Sequence, residues 1–424
     1  MPKKKVDLII LHAKQLVTAR GYAHTPAIGS EMDDLGIVED GAVAVEDGTI
    51  VAVGTTSEVL EEYSGTINVD ASDKIVTPGL VDPHTHLVFA GSRETELELK
   101  IKGAGYLEIL QRGGGILRTV RDTRASSRDQ LLQICRKRAE NILLHGTTTV
   151  EAKSGYGLTL QDEIKLLEVI RRLDEEGPLS LVPTFLGAHA IPAEYESKVP
   201  EYVTRVCDDW IPEIARRGLA KFCDVFCEKG VFEIADSRRI LESGKRFGLL
   251  PKIHADELNP FGGAELAAEV GAISADHLLY ASEVGLEAMK RVGVIAILLP
   301  AAPLTLMLER YADARKMIAQ GVAVALGSDL SPSCWLENQQ LIIALACYKL
   351  KMTPAEAITA STINAAHAIG KAHEIGSIEV GKKADLTVFD MPDFRFLGYR
   401  VGTNMVDRVV KNGRVIVENG RLTA

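Results

Sequence analysis

The sequence predicts an α/β protein, a TIM (β/α)8 barrel with a small β-sandwich domain built from both termini. Three observations lead to this prediction. Short apolar runs alternate with amphipathic segments through the middle of the chain, both ends are rich in strand-like runs, and 424 residues suffice for one large and one small domain. We place the composite β-sandwich domain at 1–75 plus 380–424 and the barrel at 76–379.

The central region contains eight apolar runs, each followed by a helical stretch. The runs are KIVTPGLVD, TTTVEAK, LSLVPTFLGA, FCDVFCE, LLPKIHAD, GAISADH, GVIAILLP and GVAVALGSD. The segments between them, such as SRDQLLQICRKRAENILLHG, LQDEIKLLEVIRRLDEEG and EVGLEAMKRVG, repeat apolar residues at helical spacing. Continuous apolar strands that alternate with helices indicate a parallel sheet buried on both faces. Eight units favour a closed barrel over the competing doubly wound sheet, which rarely needs eight units this regular.

The terminal segments have a different sequence pattern, in which short β-rich runs are separated by turn residues. DLIILHAKQLVT, GAVAVEDGTIVAVG and INVDASDKIVTP near the start are β-rich runs bounded by Gly, Asp and Asn, and ADLTVFD and DRVVKNGRVIVENGR follow near the end. Two Asn-Gly steps in VKNGRVIVENG predict hairpins. Strand-rich ends around an alternating middle predict one small domain assembled from both termini.

The composition argues against several classes of protein. A net charge of -10 disfavours a surface for nucleic acid or for an anionic membrane. No apolar run approaches the roughly 20 residues that a membrane-spanning helix needs. The six cysteines form no CxxC pair, and the first apolar run is too short for a secretory leader. These features together predict a cytoplasmic protein.

Polar side chains collect where the predicted strands end, which is the face that holds the active site of a TIM barrel. They are Asp82, His84, His86, Glu151, Lys153, His189, Glu228, His254, Asp256, Glu257, Asp276, His277 and Asp329. Five of the ten histidines of the chain belong to this set, which random placement would not favour. The mouth of the barrel is therefore the predicted functional site.

His84 and His86 are two residues apart at the end of the first barrel strand. Side chains at i and i+2 of a strand point to the same side, so both imidazoles can face one ion; a solvent-facing pair is the alternative. His254 and Asp329, at the ends of strands five and eight, would complete a set of three imidazoles and one carboxylate with room for a water. Taken singly, a histidine such as His254 is more often a core residue than a metal ligand, and an aspartate such as Asp329 is often a helix N-cap.

Glu257 and His277 lie at the same predicted mouth. Glu257 is placed to handle protons near a bound water or a leaving group, although it could instead be an acidic residue at a helix N-terminus. His277 could be a fifth ligand or could polarise a carbonyl, and we favour the second role.

Four segments, TPGLVDPHTH, KIHADE, ALGSD and GSIEVGKKADLTVFD, together resemble the amidohydrolase superfamily. A second set is similar to the imidazolonepropionase family within it: VDPHTHLVFAGSRETE, QRGGGI, EAKSGYGL, FLGAHAIP, DVFCEKGVF and MTPAEAITASTINAAHAIG. The resemblance extends from about residue 75 to residue 390 and includes nearly every barrel loop.

The resemblance implies an enzyme of histidine degradation that hydrolyses 4-imidazolone-5-propanoate to N-formimidoyl-L-glutamate. It implies one metal ion per subunit, zinc or iron, and a homodimer. The implied metal ligands are His84, His86, His254 and Asp329, and the implied catalytic residues are Glu257, His277 and Asp329.

The resemblance also implies substrate contacts for Arg93, Tyr156 and His189. Arg93 stands where the family holds the propanoate carboxylate, which a guanidinium matches bidentately; a surface salt bridge is the alternative. Tyr156 and His189 could otherwise be wall packing. QRGGGI resembles a mobile segment of the family, and a plain flexible turn is an equally fair interpretation. Lys153 ends strand two, whereas a metal-bridging lysine of such enzymes follows strand four, so we interpret Lys153 as structural and the site as mononuclear.

The run after Asp329 departs from the family pattern, in which Asn-Pro-Gly is followed by Ser or Thr. Here Ser331 replaces the Asn, Ser333 the Gly and Cys334 the hydroxyl residue. Because these positions contact substrate or product in the family, we predict that all three bind substrate, together with Glu257. A changed substrate is one interpretation, and a lineage variant with a compensating partner is the one we favour.

The expected reaction is attack of hydroxide on the ring carbonyl, with Asp329, Glu257 or both managing protons and His277 stabilising the oxyanion. Another amidohydrolase, such as a deaminase or a different cyclic-amide hydrolase, is the alternative enzyme. A non-catalytic metal-binding protein would keep the ligands but would not need Glu257, Arg93 and His277 at one mouth.

Overall fold

The computed structural model describes residues 2–103 and 114–423 of the chain, and its strands form two sheets. The first strands are β1 (Lys4–Leu16), β2 (Val38–Glu46), β3 (Thr49–Thr55), β4 (Tyr63–Asp70) and β5 (Ile75–Pro78). The middle strands are β6 (Leu80–Thr85), β7 (Thr147–Lys153), β8 (Ser180–Ala188), β9 (Phe222–Cys227), β10 (Leu250–Ala255), β11 (Ser274–His277), β12 (Ile295–Leu298) and β13 (Val324–Leu326). The last are β14 (Leu386–Phe389), β15 (Val406–Lys411), β16 (Arg414–Glu418) and β17 (Arg421–Leu422).

Helices follow most of the middle strands. In chain order the described helices are α1 (Thr56–Glu62), α2 (Glu94–Ile101), α3 (Ile116–Ala125), α4 (Arg128–Leu144), α5 (Leu160–Glu176), α6 (Val199–Arg205), α7 (Ile211–Arg216), α8 (Ile234–Arg246), α9 (Gly263–Val270), α10 (Glu283–Val292), α11 (Ala301–Thr305), α12 (Ala314–Gln320), α13 (Gln339–Leu350), α14 (Pro354–Ala360), α15 (Ile363–Ala368) and α16 (Phe396–Tyr399). Short 3-10 turns lie at Gly29–Asp33 and Ala193–Tyr195, and a π-helical turn at Val206–Trp210 joins α6 to α7. No helix in the described ranges is both long and apolar enough to cross a membrane.

The eight middle strands form a parallel barrel in sequence order, from β6 to β13. The two end strands meet through a parallel bridge between Thr85 and Leu330. The amide of His86 donates to the carbonyl of Leu330 at 2.8 Å, and the amide of Asp329 donates to the carbonyl of His84 at 3.1 Å. Sequential order with contact between the first and last strands confirms the TIM barrel and rules out a doubly wound sheet, whose strand order reverses.

The strands of both termini form a second, nine-stranded sheet, in the order β17-β16-β15-β14-β5-β1-β2-β3 with β4 on β1. The antiparallel pairing of β14 with β5 joins the C-terminal strands to the N-terminal ones. Asn412-Gly413 and Asn419-Gly420 both have positive φ and connect β15 to β16 and β16 to β17, as the two Asn-Gly steps predict. The domain limits at 75 and 380 stay a prediction.

The run KIVTPGLVD belongs to both sheets rather than to the barrel alone. Its first part is β5, which pairs with β1 and β14, and its second part opens β6. Gly79 lies between them, and its amide donates to the carbonyl of Asp385 at 2.8 Å. A Cβ at Gly79 would lie 2.3 Å from Oγ1 of Thr148, so only glycine fits where the chain passes from one sheet to the other.

Burial and capping explain why the middle segments adopt these elements. Every residue of β7 is buried, as expected for a barrel strand covered on both faces. The helix predicted from SRDQLLQICRKRAENILLHG is α4, where the Ser127 hydroxyl accepts from the amide of Gln130 at 3.2 Å. The helices predicted after it are α5 and α10. Because the eight barrel strands are parallel, their C-terminal ends all lie at one mouth of the barrel.

Candidate metal centre and active site

The four predicted metal ligands come from three strands and meet at the mouth of the barrel. His84 lies near the end of β6 and His86 directly follows that strand, His254 lies near the end of β10, and Asp329 follows β13. Nε2 of His86 lies 3.4 Å from Nε2 of His254. Oδ1 of Asp329 lies 3.6 Å from Nε2 of His84 and 3.5 Å from Nε2 of His86. All four residues are buried.

The donor set fits a cation. Ligand atoms of His84, His86 and Asp329 all lie within 4.8 Å of one another. Nε2 of His84 is buried without a hydrogen-bond partner among the described residues. Burial lowers the pKa of His84 and of His86 well below the usual histidine value, so both rings are neutral and offer a lone pair. Neutral imidazoles beside a carboxylate are the donors that zinc and iron accept.

Two carboxylates fix the orientation of two of these imidazoles. Nδ1 of His84 lies 2.6 Å from Oδ2 of Asp276, and Nδ1 of His254 lies 3.1 Å from Oδ2 of Asp224. A carboxylate at Nδ1 holds the proton there and leaves Nε2 free for a metal. Sequence reasoning placed Asp276 at a strand end without this role and did not single out Asp224. The signal for Asp224 in the sequence is its position inside the apolar run FCDVFC, because a buried carboxyl group needs a hydrogen-bonding or charged partner.

Glu257 and His277 lie beside this cluster. Oε2 of Glu257 lies 3.6 Å from Nε2 of His277. Burial, followed by the negative charge of Asp329, raises the pKa of Glu257 to about 8. Burial also raises the pKa of Asp329 to about 7 and lowers that of His277 well below its usual value. A ligand atom of His277 lies within 4.8 Å of those of His84 and His254, so both roles proposed for His277 stay open.

The helix after β10 is capped by Asp256 rather than by Glu257. Asp256 accepts hydrogen bonds from the amides of Gly262 and Gly263 through Oδ1 at 2.9 and 3.1 Å, and from the amide of Ala264 through Oδ2 at 2.9 Å. Asp256, His277 and Asp329 all have positive φ. Such strained backbone is common at functional sites, where surrounding contacts hold it in place.

Three of the predicted substrate-binding residues, Tyr156, His189 and Arg93, lie in two different environments. Tyr156 and His189 form part of the wall: the ring of His189 stacks on His86 at 4.7 Å, and the ring of Tyr156 lies 5.2 Å from that of His189. Arg93 precedes α2, and its Nε and Nη2 donate to Oε2 of Glu96 at 2.9 and 2.7 Å. The side chain of Arg93 is only 11% exposed, so this ion pair is not on the open surface.

The residues after Asp329 form a tight turn. Oγ of Ser331 accepts from the amide of Cys334 at 3.2 Å and lies 3.2 Å from Oγ of Ser333. The amide of Ser331 in turn donates to the carbonyl of Cys334 at 3.0 Å. Burial raises the pKa of the Cys334 thiol well above its usual value, so the residue is a thiol at neutral pH. The Ser331 hydroxyl therefore stabilises the backbone of this departure from the family pattern.

Three further features singled out in the sequence are the QRGGGI segment, Glu228 and Asp82. Of the QRGGGI segment, residues 111–113 lie outside the described residues, and Gly115 precedes α3 with a φ of 72°. Glu228, named at the end of strand four, accepts from the amide of Leu258 and from Nδ2 of Asn259, both at 2.9 Å. Asp82 accepts from the amide of Ser328 at 3.0 Å and so joins β6 to the end of β13.

Known proteins match this chain over nearly its whole length. A family model described as "Amidohydrolase family" matches residues 251–416, and one described as "Imidazolonepropionase-like composite domain, bacteria" matches residues 41–63. An imidazolonepropionase of Brevibacillus brevis is 54% identical and covers 97% of this chain and 98% of its own length. That of Symbiobacterium thermophilum is 49% identical and covers 99% of each.

Solved structures with the same fold are more distant. An adenosine deaminase from Xanthomonas campestris with bound zinc has a TM-score of 0.72 at 20% identity, covering 100% of this chain and 95% of its own. A 5-methylcytosine deaminase from Klebsiella pneumoniae liganded with phosphonocytosine has a TM-score of 0.73 at 16% identity, covering 97% and 98%. At this identity the similarity extends to the fold alone.

Proposed function

This chain belongs to the imidazolonepropionase family of amidohydrolases, and from that membership we propose how its residues hydrolyse 4-imidazolone-5-propanoate to N-formimidoyl-L-glutamate in histidine degradation. The reaction breaks a C–N bond of a cyclic amide. The observation that supports our assignment of the site is the convergence of three imidazoles and one carboxylate at the barrel mouth. The same mouth holds Glu257 and His277.

We assign one metal ion to His84, His86, His254 and Asp329, and we propose zinc or iron. When bound there, the metal supplies Lewis-acid polarisation of a carbonyl and lowers the pKa of a water. His84 and His254 point Nε2 toward this position because Asp276 and Asp224 hold their Nδ1 atoms.

The two carboxyl groups at the mouth divide the proton transfers. Glu257, whose pKa burial raises to about 8, is protonated at neutral pH and gives its proton to the ring nitrogen that leaves. Asp329 accepts the proton of the attacking water. His277 directs a neutral ring toward the carbonyl oxygen as negative charge develops there.

Arg93 holds the propanoate tail of the substrate. Glu96 already accepts from Nε and Nη2 of Arg93, so we propose that Nη1 faces the substrate carboxylate while Glu96 fixes the guanidinium. Tyr156 and His189 line the wall beside the ring. The turn of Ser331, Ser333 and Cys334 closes the side next to Asp329. We expect a cytoplasmic homodimer.

Product analysis tests this proposal. We expect the purified, metal-loaded protein to consume 4-imidazolone-5-propanoate and to form N-formimidoyl-L-glutamate in equal amount, without ammonia. Release of ammonia in the same step would instead identify a deaminase. Failure to consume this substrate while opening a related ring would mean that the turn after Asp329 has changed the specificity.

A further inference from the structure

Lys153 lies at the end of β7, fully buried beneath the histidine cluster. Glu151 and Lys153 are two residues apart on one strand and therefore point to the same side, into the barrel. Nζ of Lys153 donates to Oε1 of Glu151 and to Oδ2 of Asp224, both at 2.8 Å. It also lies 3.8 Å from Oδ2 of Asp276. One ammonium group thus contacts carboxylates from three different strands.

Two of these carboxylates are the ones that orient imidazoles. Asp224 holds Nδ1 of His254 at 3.1 Å through Oδ2, the same oxygen that contacts Lys153. Asp276 holds Nδ1 of His84 at 2.6 Å, again through the oxygen nearest Lys153. The ammonium group is therefore hydrogen-bonded to one of the two carboxylate oxygens that hold an imidazole and forms an ion pair with the other.

The third carboxylate acts on the strand that bears the ligands. Oε2 of Glu151 accepts from the amide of Thr85 at 3.3 Å, and the Thr85 hydroxyl donates to the carbonyl of Glu151 at 2.7 Å. Thr85 is the residue between His84 and His86. Lys153 holds Glu151 from the other side of the carboxylate. His84 and His254 are thus two contacts away from this lysine, and His86 directly follows Thr85, which is also two contacts away.

The surrounding carboxylates favour an ammonium group at Lys153 over a carbamate. An ammonium group can donate to both Glu151 and Asp224, and its charge offsets theirs in the barrel interior. A carbamate on the same nitrogen would add an anion among three carboxylates. Lys252, another buried lysine, donates to the hydroxyl of Ser274, which in turn donates to Oδ1 of Asp276, at 2.7 Å for each hydrogen bond.

We propose that Lys153 is a positioning residue of the metal centre, which holds Asp224, Asp276 and Glu151 so that His254, His84 and His86 converge on one ion. This inference rests on the proposed function, because it requires that the histidine cluster binds a metal. Under this proposal Lys153 does more than stabilise the barrel, and the affinity of the protein for metal is the property that measures this role.

Removal of Lys153 should change metal affinity in opposite directions for a positioning role and for a purely electrostatic role. If Lys153 acted only as a nearby positive charge, it would repel an incoming cation, and its removal would increase metal affinity. If it positions the carboxylates, its removal disorders their hold on the imidazoles and decreases metal affinity. Loss of such supporting contacts typically costs about 10–100-fold in metal affinity.

The test compares Lys153→Met with a matched control, Lys411→Met. Lys411 is also buried and paired with a carboxylate, Asp385, at 2.5 Å, but it lies in β15 of the terminal sheet. Zn²⁺ affinity of each full-length protein is measured by competition with a chromophoric chelator, and the visible spectrum of the Co²⁺-loaded protein reports ligand geometry. We expect Lys153→Met to bind Zn²⁺ about 10–100-fold more weakly with an altered Co²⁺ spectrum, and Lys411→Met to match the wild type in both.

Equal or tighter Zn²⁺ binding by folded Lys153→Met would overturn the inference while leaving the proposed function in place. A wild-type protein that fails to retain Zn²⁺ in the same competition would overturn the metal centre and this inference together. If Lys153→Met does not fold, the double variant Lys153→Met with Glu151→Gln, which removes one cation and one anion, is measured against Glu151→Gln alone. Weaker Zn²⁺ binding by the double variant than by Glu151→Gln supports the positioning role, and equal affinity of the two contradicts it.

Discussion

In His84, His86 and His254 the nitrogen Nδ1 faces away from the proposed metal position, and the three residues differ in what contacts it. Carboxylates hold Nδ1 of His84 and of His254, whereas Nδ1 of His86 is buried without a hydrogen-bond partner among the described residues. The ring of His86 is instead stacked on His189, with an angle of 10° between the planes. We infer that packing orients the ring of His86, while hydrogen bonds orient the other two rings, so His189 contributes to the metal centre as well as to the proposed substrate site.

The raised pKa of Glu257 predicts a pH dependence of turnover. A carboxylic acid with a pKa of about 8 is protonated below that pH, so its capacity to donate a proton is lost as the pH rises through 8. We expect kcat to fall above about pH 8 in the wild type. Glu257→Gln should lower kcat by about 10²–10⁴-fold and should lack this basic limb. A Glu257→Gln protein that keeps the same limb would show that another group causes it.

Replacement of Arg93 should weaken substrate binding more than it slows the reaction. A hydrogen bond to a charged group contributes about 1.5–3 kcal/mol, so Arg93→Ala should raise KM roughly 10–100-fold. The exposed cation Lys102, just beyond α2, is the matched control, and Lys102→Ala should leave KM unchanged. Steady-state kinetics of both variants decide this, and an unchanged KM in Arg93→Ala would remove Arg93 from the carboxylate site.

At this scale the sequence predicts the residues that act within one strand and misses those that act between strands. The spacing of His84 and His86 is enough to place both side chains on one side of a strand. Nothing in the spacing of Asp224 and His254, thirty residues apart, reveals their contact. That contact depends on the register between β9 and β10, which only the folded barrel sets.

The loop after β7 is held by a glycine that no other residue can replace without strain. Gly155 has a φ of 106°, and its carbonyl lies 3.1 Å from Nδ1 of His189. A Cβ at this position would lie 3.0 Å from the same Nδ1 and 3.0 Å from the carbonyl of Leu186. The loop conformation and the position of His189 are therefore coupled.

Gly155→Ala should lower enzyme activity, whereas an alanine at a glycine far from the site should lower only the free energy of unfolding. Gly248 is the matched control, because it also has positive φ but no atom of the described chain lies within 4 Å of an added Cβ. Both alanine variants should lose about 1–2 kcal/mol of the free energy of unfolding from the left-handed backbone, measured by urea denaturation. Only Gly155→Ala should also lose activity, and equal activity of the two would show that His189 tolerates the displacement.

The elements themselves were predictable where their pattern was long and regular, as in α4, α5 and α10. The limits of β5 and β6 were not, because KIVTPGLVD reads as one apolar run although its two halves join different sheets. The division at Gly79 arises from contacts with Asp385 and Thr148, which are remote in sequence.

At the scale of the whole molecule, the proposed metal ties together β6, β10 and the end of β13, across the point where the barrel closes. A ligand that binds only the folded protein stabilises it by about 4 kcal/mol at 1,000 times its Kd. Removal of the metal should therefore lower Tm by several degrees, and re-addition of Zn²⁺ should restore it. Scanning calorimetry of stripped and reloaded protein measures this, and identical Tm values with saturating Zn²⁺ would contradict a site at the seam.

Counting eight strand-and-helix units was sufficient to predict the barrel, because few other architectures need that number. The join between the barrel and the nine-stranded terminal sheet was not predictable in detail, since it depends on the pairing of β14 with β5 across more than three hundred residues. The oligomeric state likewise leaves no clear pattern in the sequence, and the homodimer stays a prediction.

The central claim is that the histidine cluster at the barrel mouth performs metal-dependent hydrolysis of the imidazolone ring. The most direct measurement follows the imidazolone absorbance of 4-imidazolone-5-propanoate with metal-stripped wild type, reloaded wild type and His84→Ala. We predict no turnover by the stripped protein, full turnover after zinc or iron is restored, and neither metal retention nor turnover in His84→Ala. Full activity of metal-free His84→Ala would contradict the account.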